Sequence, residues 1–207
     1  DSLHPGIGFL SENADFADMV RNRGINFIGP PVQSMETMGN KSNAINTSIR
    51  LNVPVVPGSH GIMTDVEKAA EVAAEIGYPI LIKAVHGGGG KGIQLVNGPE
   101  EFEQLFYRVN VEARSAFGNG DVYLEKYVTS LRHIEAQLLR DVHGNTQVLG
   151  IRDCSVQRDK QKVIEESGST MLPKKLLDVV KRSTADIANE VGYVGAGTVE
   201  FIYDLKS

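Results

Sequence analysis

The chain has 207 residues, which suits one good-sized domain or two small ones. Its net charge of −5 argues against broad nucleic-acid binding, and it contains no apolar run of about 18 residues or more that would span a membrane. The single cysteine, Cys154, excludes an internal disulfide and favours a reducing compartment. We therefore expect a cytoplasmic protein, with the mitochondrial matrix as the alternative.

The first part of the chain combines short helices with a strand. Its predicted elements are, in order, a helix over 14–23, a strand over 26–29, and helices over 32–38 and 41–51. Ser11 or Asn13 would cap the first helix, and Gly24 would end it. This order is typical of the tail of an open α/β unit, and we assign residues 1–52 to a first domain.

The rest of the chain, residues 53–207, alternates strands with amphipathic helices. Its predicted elements are, in order, a helix over 65–76, strands over 79–85 and 93–97, a helix over 99–116, strands over 121–128, 132–140, 146–151 and 161–166, a helix over 173–191 and a strand over 197–203. Strands outnumber what simple βαβ alternation would give, and residues 141–145 carry a strong hairpin signal. We therefore predict a second domain of the α+β class, with mostly antiparallel sheets, helices packed on one side, and turns between subdomains at 118–121 and 195–197.

Four consecutive glycines at 87–90 lie between two short apolar runs, with Lys83 before them and Lys91 after them. Bare backbone N–H groups and ammonium charges suit a polyphosphate, although a plain hairpin turn is the alternative. A P-loop is excluded because Gly92 follows Lys91 where Ser or Thr is needed, and a dinucleotide fold is excluded because a strand comes next. A glycine loop between strands predicts a hinged flap over nucleotide phosphates, with kinase-like and ligase-like sites both open.

Polar and basic side chains cluster between residues 132 and 162. His133, Glu135 and Gln137 share one strand face because side chains alternate along a strand, and this face could alternatively be open to solvent. The stretch 152–162 holds four cations in an acidic chain. It indicates an anionic ligand such as phosphate, carboxylate or bicarbonate, with a solvated loop as the alternative.

Glu200 lies in an otherwise apolar strand, where an unpaired buried carboxylate would be unfavourable. It should therefore meet a cation, and Mg²⁺ bridged to ATP phosphates is the natural candidate. An edge-strand glutamate that faces water is the alternative. Cys154 has cations nearby but no obvious His and Asp partners, so we interpret it as a thiol beside a ligand pocket rather than as a nucleophile.

A series of motifs, taken in this order, resembles biotin carboxylase over almost the whole chain. The motifs are 4–13, 27–30, 38–41, the glycine flap, 125–128, 132–135, 152–157 and 161–166. Biotin carboxylases are ATP-grasp enzymes, found alone or within acyl-CoA, pyruvate and urea carboxylases. The resemblance implies a ligase that uses ATP, Mg²⁺ (or Mn²⁺) and bicarbonate to make carboxyphosphate, and that then carboxylates biotin.

The implied partners follow from the same resemblance. They are bicarbonate, a biotin carboxyl carrier domain, a carboxyltransferase domain or subunit, and further copies of the chain in a homo-oligomer. Neither nucleic acid nor a membrane is expected as a partner.

The resemblance also implies contacts with the nucleotide. Lys41 and Lys83 would be ATP-contacting cations, and the backbone of Gly89 and Gly90 would cover the phosphates. A hinge would face the adenine, with main-chain groups of its second and fourth residues reading the base. The hinge residues are Glu125, Lys126, Tyr127 and Val128.

Further along the chain, the resemblance implies contacts with the phosphates, the metal and bicarbonate. His133 and Gln157 would lie near ribose and phosphate, and Lys160 stands where the family has a nucleotide-contacting histidine. Lys162 would be the catalytic residue that holds bicarbonate. Glu200 would contact the nucleotide through the metal, as the first Mg²⁺ ligand.

The chain departs from the family at Ile7, where an aromatic residue is common, at Asp159 and at Lys160. The family's second acidic metal ligand, its asparagine ligand, the bicarbonate arginine and the catalytic base follow a strand of the Glu200 type, and the chain stops at Ser207 before them. We therefore expect a central fragment that is inactive alone. The alternatives are another ATP-grasp ligase, such as a carbamoyl-phosphate-synthase-like enzyme, or a nucleotide-binding module without catalysis.

Overall fold

The structure, a computed structural model, describes residues 1–39, 41–85, 92–158, 161–168 and 172–206. The chain forms two compact units, the first made of Asp1–Pro54 and Ser130–Ser207 and the second of Val55–Thr129. Each unit has its own sheet and its own apolar core. Within the described ranges, no helix is long and apolar enough to cross a membrane.

The helices and strands agree closely with those predicted. In chain order they are β1 (Ser2–Leu3), α1 (Ala14–Arg21), β2 (Asn26–Phe27), α2 (Val32–Gly39), α3 (Lys41–Arg50), α4 (Val66–Ile76), β3 (Ile80–Ala84), β4 (Ile93–Val96), α5 (Pro99–Phe117), β5 (Val122–Lys126), β6 (Leu131–Arg140), β7 (Thr146–Arg158), β8 (Gln161–Ser167), α6 (Lys174–Glu190) and β9 (Gly195–Asp204).

The first unit opens with a small α/β layer. β1 pairs in parallel with β2, and the side chain of Asn13 caps α1 by accepting a hydrogen bond from the Phe16 N–H at 2.7 Å. Ala17 and Phe27 are buried in the centre of this layer. The parallel pair and its helices confirm the predicted tail of an open α/β unit.

A four-stranded antiparallel sheet, in the order β8-β7-β6-β9, forms the main part of the first unit. α6 packs on one face of it, because every second residue of β6 is apolar and points to that side. The buried residues of this core are Ile134, Ala136, Ile151, Leu172 and Val180. β8 lies at one edge of the sheet, and each of its residues is exposed. The predicted hairpin is confirmed, with Asp141 Oδ1 accepting hydrogen bonds from the N–H groups of His143 and Asn145.

Three local predictions are wrong. β7 does not end at Ile151 but continues to Arg158, with its pairing to β8 shifted between Asp153 and Gln157. Residues 195–197 form no turn, since they begin β9. Gly197 is required there for a different reason, because a Cβ at this position would lie 2.6 Å from the Tyr193 hydroxyl. Residues 118–121 connect α5 to β5 inside the second unit rather than joining two subdomains.

The second unit is a three-stranded antiparallel sheet, β4-β3-β5, covered on one face by α4 and α5. Its core residues are Ala69, Ala73, Ile80, Ile82, Val96, Phe102, Phe106, Val109, Val122 and Leu124. The Asp65 side chain caps α4 by accepting hydrogen bonds from the N–H groups of Glu67 and Lys68. The other face of the sheet carries Lys83 and Glu125 among the side chains of Leu81, Ile93, Leu95 and Tyr123. Both units combine helices with antiparallel sheets, which confirms the predicted α+β architecture.

Candidate functional site

A buried carboxylate lies at the centre of the polar face of the first unit's sheet. Glu135 in β6 pairs with Arg152 in β7 and with Glu200 in β9, so their side chains share one face. Glu135 is only 4% exposed and accepts hydrogen bonds from the Arg152 guanidinium and the Lys162 ammonium. Burial alone would raise the pKa of Glu135, but these hydrogen bonds outweigh it and lower the pKa. The solvent-exposed alternative is therefore wrong for Glu135.

Lys162 bridges two carboxylates. Its Nζ contacts Glu135 and lies 2.7 Å from Glu200 Oε1, while His133 Nε2 lies 3.4 Å from Glu200 Oε2. Glu200 stands on the edge strand β9 and its side chain is 51% exposed, which is the edge-strand alternative rather than a buried carboxylate, although Lys162 pairs with it. Burial would lower the pKa of Lys162, but its hydrogen bonds to Glu135 and Glu200 outweigh burial and raise it. Lys162 is therefore a fixed positive charge at neutral pH.

The irregular end of β7 holds His133 and Gln157 together. Gln157 Nε2 lies 2.7 Å from His133 Nδ1 and donates to the Cys154 carbonyl at 2.9 Å. The His133 N–H donates to Ser155 Oγ at 2.9 Å. Two polar side chains expected near a nucleotide are thus fixed relative to each other by their direct contact and by hydrogen bonds to Cys154 and Ser155 of β7.

Asp153 anchors this irregular segment and was missed as a site residue by sequence reasoning. Its carboxylate accepts hydrogen bonds from the N–H and hydroxyl of Ser155 and from Arg132 Nη1, the last at 3.0 Å. Burial would raise the pKa of Asp153, but the bonds from Ser155 and Arg132 lower it overall. An Asp two residues before a Ser was the available signal, since that spacing favours such a local turn.

Cys154 is fully buried, and its Sγ lies 3.9 Å from Glu135 Oε2. Burial and the charge of Glu135 raise the pKa of the thiol, so it stays protonated at neutral pH. This placement agrees with a packed thiol beside the polar cluster and not with a nucleophile.

The uncovered face of the second unit's sheet carries one ion pair among apolar side chains. Lys83 in β3 contacts Glu125 in β5, and both side chains are 20% exposed. Tyr123 pairs with Lys83 across the strands and lies on the same side, with Leu81 two residues before Lys83. Burial and the nearby charge of Glu125 raise the pKa of Tyr123 to about 12. Leu81 and Tyr123 were not identified from the sequence as neighbours of this pair, although strand alternation places Leu81 on the face of Lys83 and Tyr123 on the face of Glu125.

The predicted hinge follows β5 and is held by hydrogen bonds on both sides. Lys126 Nζ donates to the carbonyls of Gly77 and Tyr78 at 2.7 and 3.1 Å, and its N–H donates to the Pro57 carbonyl at 2.7 Å. The Tyr127 N–H donates to the Pro79 carbonyl at 3.1 Å. The ammonium of Lys126 therefore serves the local structure, and Val128 follows at the end of a fixed segment.

Some predicted residues lie outside the described part of the chain. Gly89, Gly90 and Lys160 belong to the ranges that the structure does not describe. Lys41 is the first residue of α3. The other predicted residues fall into two groups. The first unit brings together His133, Gln157, Lys162 and Glu200, and the second unit brings together Lys83, Glu125, Lys126, Tyr127 and Val128.

Glu200 is the predicted metal ligand among the described residues. Among them, no group of three or more His, Cys, Asp or Glu side chains is placed to hold a metal ion. Glu200 offers hard carboxylate oxygens on a half-exposed side chain. Mg²⁺ is commonly bound by one or two carboxylates with phosphates and water as the other ligands, and Glu200 fits one such position.

Comparison with known proteins gives the same picture along the whole chain. Residues 40–207 match the family model "Carbamoyl-phosphate synthase L chain, ATP binding domain", and residues 1–35 match "Biotin carboxylase, N-terminal domain". Biotin carboxylase 2, chloroplastic, of Populus trichocarpa is 50% identical over 202 residues, which is 98% of this chain and 38% of that protein.

Two solved structures share the fold. A biotin carboxylase complex with ATP from Campylobacter jejuni has a TM-score of 0.89 and 43% identity, over 99% of this chain and 46% of that one. The biotin carboxylase domain dimer of Hydrogenobacter thermophilus 2-oxoglutarate carboxylase, in complex with MgADP, ADP and bicarbonate, has a TM-score of 0.87 and 46% identity, over 100% of this chain and 46% of that one. The chain thus spans less than half the length of these relatives.

Proposed function

Because the chain belongs to the biotin carboxylase family of ATP-grasp proteins, we propose that the protein containing it carboxylates biotin on a carrier domain at the expense of ATP. Bicarbonate would supply the carboxyl group through carboxyphosphate, with Mg²⁺ (or Mn²⁺) as the metal. The observation that carries the proposal is the cluster of Lys162, Glu200, His133 and Gln157 on one sheet face. It combines a fixed cation that can bind an anion, a hard carboxylate oxygen that can bind Mg²⁺, and side chains that can form hydrogen bonds to a nucleotide.

The residues of the second unit would contact the nucleotide. Lys83 would lose its present partner Glu125 in favour of a phosphate, which carries more charge. The segment that ends in Val128 would face the adenine. In Lys126 the ammonium and the N–H are engaged, so its carbonyl would be the group that meets the base. Leu81 and Tyr123 would supply the apolar surface beside it.

The residues of the first unit would act on phosphates and bicarbonate. Glu200 would hold the metal, which neutralises charge on the transferred phosphoryl group when bound. Lys162 would hold bicarbonate by charge, and His133 with Gln157 would position ribose and phosphate. Lys41, Gly89, Gly90 and Lys160 are proposed as further nucleotide contacts on the resemblance alone. Glu135 is not among the ligand-contacting residues that the resemblance implies, and its role would be to orient Lys162.

The wider organisation is proposed from the family. Residues 1–52 would belong to the amino-terminal domain of a biotin carboxylase and residues 53–207 to its ATP-grasp domain. A biotin carboxyl carrier domain and a carboxyltransferase would be the partners, in a homo-oligomer. One relative is a biotin carboxylase domain dimer in complex with bicarbonate, which supports the homo-oligomer.

The test is ATP cleavage by the natural protein that contains this chain, with bicarbonate present or removed and with free biotin added. We expect cleavage that requires bicarbonate and increases with biotin. Lys162→Gln should raise the KM for bicarbonate about tenfold or more, the worth of a charged hydrogen bond, with a smaller effect on the Kd for ADP. Lys181→Gln, an exposed lysine on α6, is the matched control.

Other outcomes would point to the two alternatives. Cleavage that requires bicarbonate but ignores biotin would favour another ATP-grasp ligase of the carbamoyl-phosphate-synthase type. Binding of ADP without any cleavage would favour a nucleotide-binding module without catalysis.

A further inference from the structure

The carboxylate of Glu200 already carries a cation from the chain itself. Lys162 Nζ lies 2.7 Å from Glu200 Oε1, and His133 Nε2 lies 3.4 Å from Oε2. An ammonium and a divalent cation compete for the same oxygens, because both are bound by charge and both require close approach. A metal at Glu200 is therefore in competition with Lys162.

Lys162 also has a second and better protected partner. Glu135 is 4% exposed, whereas the side chain of Glu200 is 51% exposed. An ion pair away from water is screened less than an exposed one, so the contact with Glu135 is the stronger of the two. Arg152 binds the other oxygen of Glu135 and fixes that carboxylate in place. The ammonium can therefore give up Glu200 without losing its position.

We propose that Lys162 is the resident counter-cation of Glu200, that a divalent cation carried by the nucleotide displaces it, and that Glu135 is the positioning residue that then retains Lys162. The inference rests on the proposed function, which assigns the metal to Glu200. Displacement frees the N–H donor that Lys162 directs at Glu200, and this donor becomes available to an anion such as bicarbonate. Metal binding and anion binding are thereby coupled through one side chain.

The experiment measures ADP binding by isothermal titration calorimetry in the natural protein that contains this chain, once with Mn²⁺ and once with EDTA. The ratio of the Kd in EDTA to the Kd in Mn²⁺ reports the contribution of the metal, and effects of a substitution on the nucleotide alone cancel in it. Lys162→Met removes the competing cation and should raise this ratio about two- to fivefold, the worth of a partly exposed ion pair.

Arg152→Gln is the matched control for charge. Arg152 belongs to the same network but pairs with Glu135 and Glu165, so its removal loosens Glu135 and should leave the ratio at or below the wild-type value. An equal rise in Arg152→Gln and Lys162→Met would overturn the inference, because it would show a general loss of positive charge rather than displacement. A rise in Lys162→Met alone supports it.

Glu200→Gln separates this inference from the proposed function. A ratio that collapses in Glu200→Gln but stays unchanged in Lys162→Met overturns displacement and keeps the metal at Glu200. A wild-type ratio in Glu200→Gln overturns the metal assignment itself. Glu135→Gln gives a further check that does not depend on the folding of Lys162→Met, since Lys162 would then rely on Glu200 and the ratio should fall. A rise in Glu135→Gln would contradict the positioning role.

Discussion

The two larger sheets of this chain each have one face covered by helices, but they differ in what their other face carries. In the second unit the covered face packs against the apolar side chains of α4 and α5, and the other face carries one ion pair, Lys83–Glu125, among apolar side chains. In the first unit the covered face also has a buried apolar core, and the other face carries linked charges around Glu135. Apolar burial does not depend on protonation or on the screening of charge, whereas ion pairs depend on both. The second unit should therefore be stabilised mainly by packing, and the first unit partly by charge.

The largest expected effect comes from breaking the apolar core of the second unit. Phe106 is 2% exposed and packs against Phe102, with ring centroids 5.9 Å apart. Phe106→Ala should lower the free energy of unfolding by about 3–5 kcal/mol, because it removes buried area and leaves a cavity. Denaturant unfolding and amide exchange in β3–β5 measure the loss. The neighbouring Tyr107 is 52% exposed, and Tyr107→Ala should change stability by less than about 1 kcal/mol. Equal losses in the two variants would contradict the role of packing.

A second substitution sharpens the contrast, since the charged pair of the second unit should matter for binding more than for folding. Lys83→Gln should weaken ATP binding by about 1.5–3 kcal/mol, the worth of a charged hydrogen bond to phosphate. The free energy of unfolding should change by about 1 kcal/mol or less, as expected of a partly exposed ion pair. Calorimetry with ATP and thermal unfolding measure the two effects. Lys68→Gln, an exposed lysine on α4, should alter neither, and normal ATP affinity in Lys83→Gln would refute the assignment.

The smallest expected effect is the response of the first unit to acid. Asp153 has a lowered pKa in the folded chain, because hydrogen bonds from Ser155 and Arg132 outweigh its burial. Its contribution to stability is therefore present above the ordinary pKa of an aspartate, about 3.9, and is lost as the pH falls through the lowered value. Asp153→Asn should flatten the acid limb of a plot of unfolding free energy against pH. A wild-type slope in this variant would show that Asp153 does not carry the acid sensitivity.

Much of the fold was legible in the sequence, because long periodic segments constrain their own structure. α5 and α6 were predicted to within a residue or two, since apolar positions recur at helical spacing and Gly or Pro marks their ends. The end of β7 was not predicted correctly, because residues 152–158 are mostly polar and their sequence resembles that of a loop. In the structure their side chains pair with charges on neighbouring strands, and such tertiary compensation leaves no period in the local sequence.

The candidate site was predictable in its parts but not in its connections. The shared face of His133, Glu135 and Gln137 follows from strand alternation, and Glu200 was expected to meet a cation. The cation proved to be Lys162, a residue 38 positions away whose contact depends on the strand order β8-β7-β6-β9. Pairing across strands that are distant in sequence is set by the whole sheet, so no local pattern could have identified it.

The position of β8 at the edge of its sheet has a consequence for how this chain behaves in concentrated solution. An edge strand offers unpaired main-chain groups to any other extended chain, and β8 also carries the exposed apolar residues Val163 and Ile164. Lys162, Glu165 and Glu166 place charges along the same strand, which is how natural sheets resist self-association through their edges. Lys162 therefore contributes to colloidal stability, and substitutions that remove its charge bring β8 closer to an aggregating sequence.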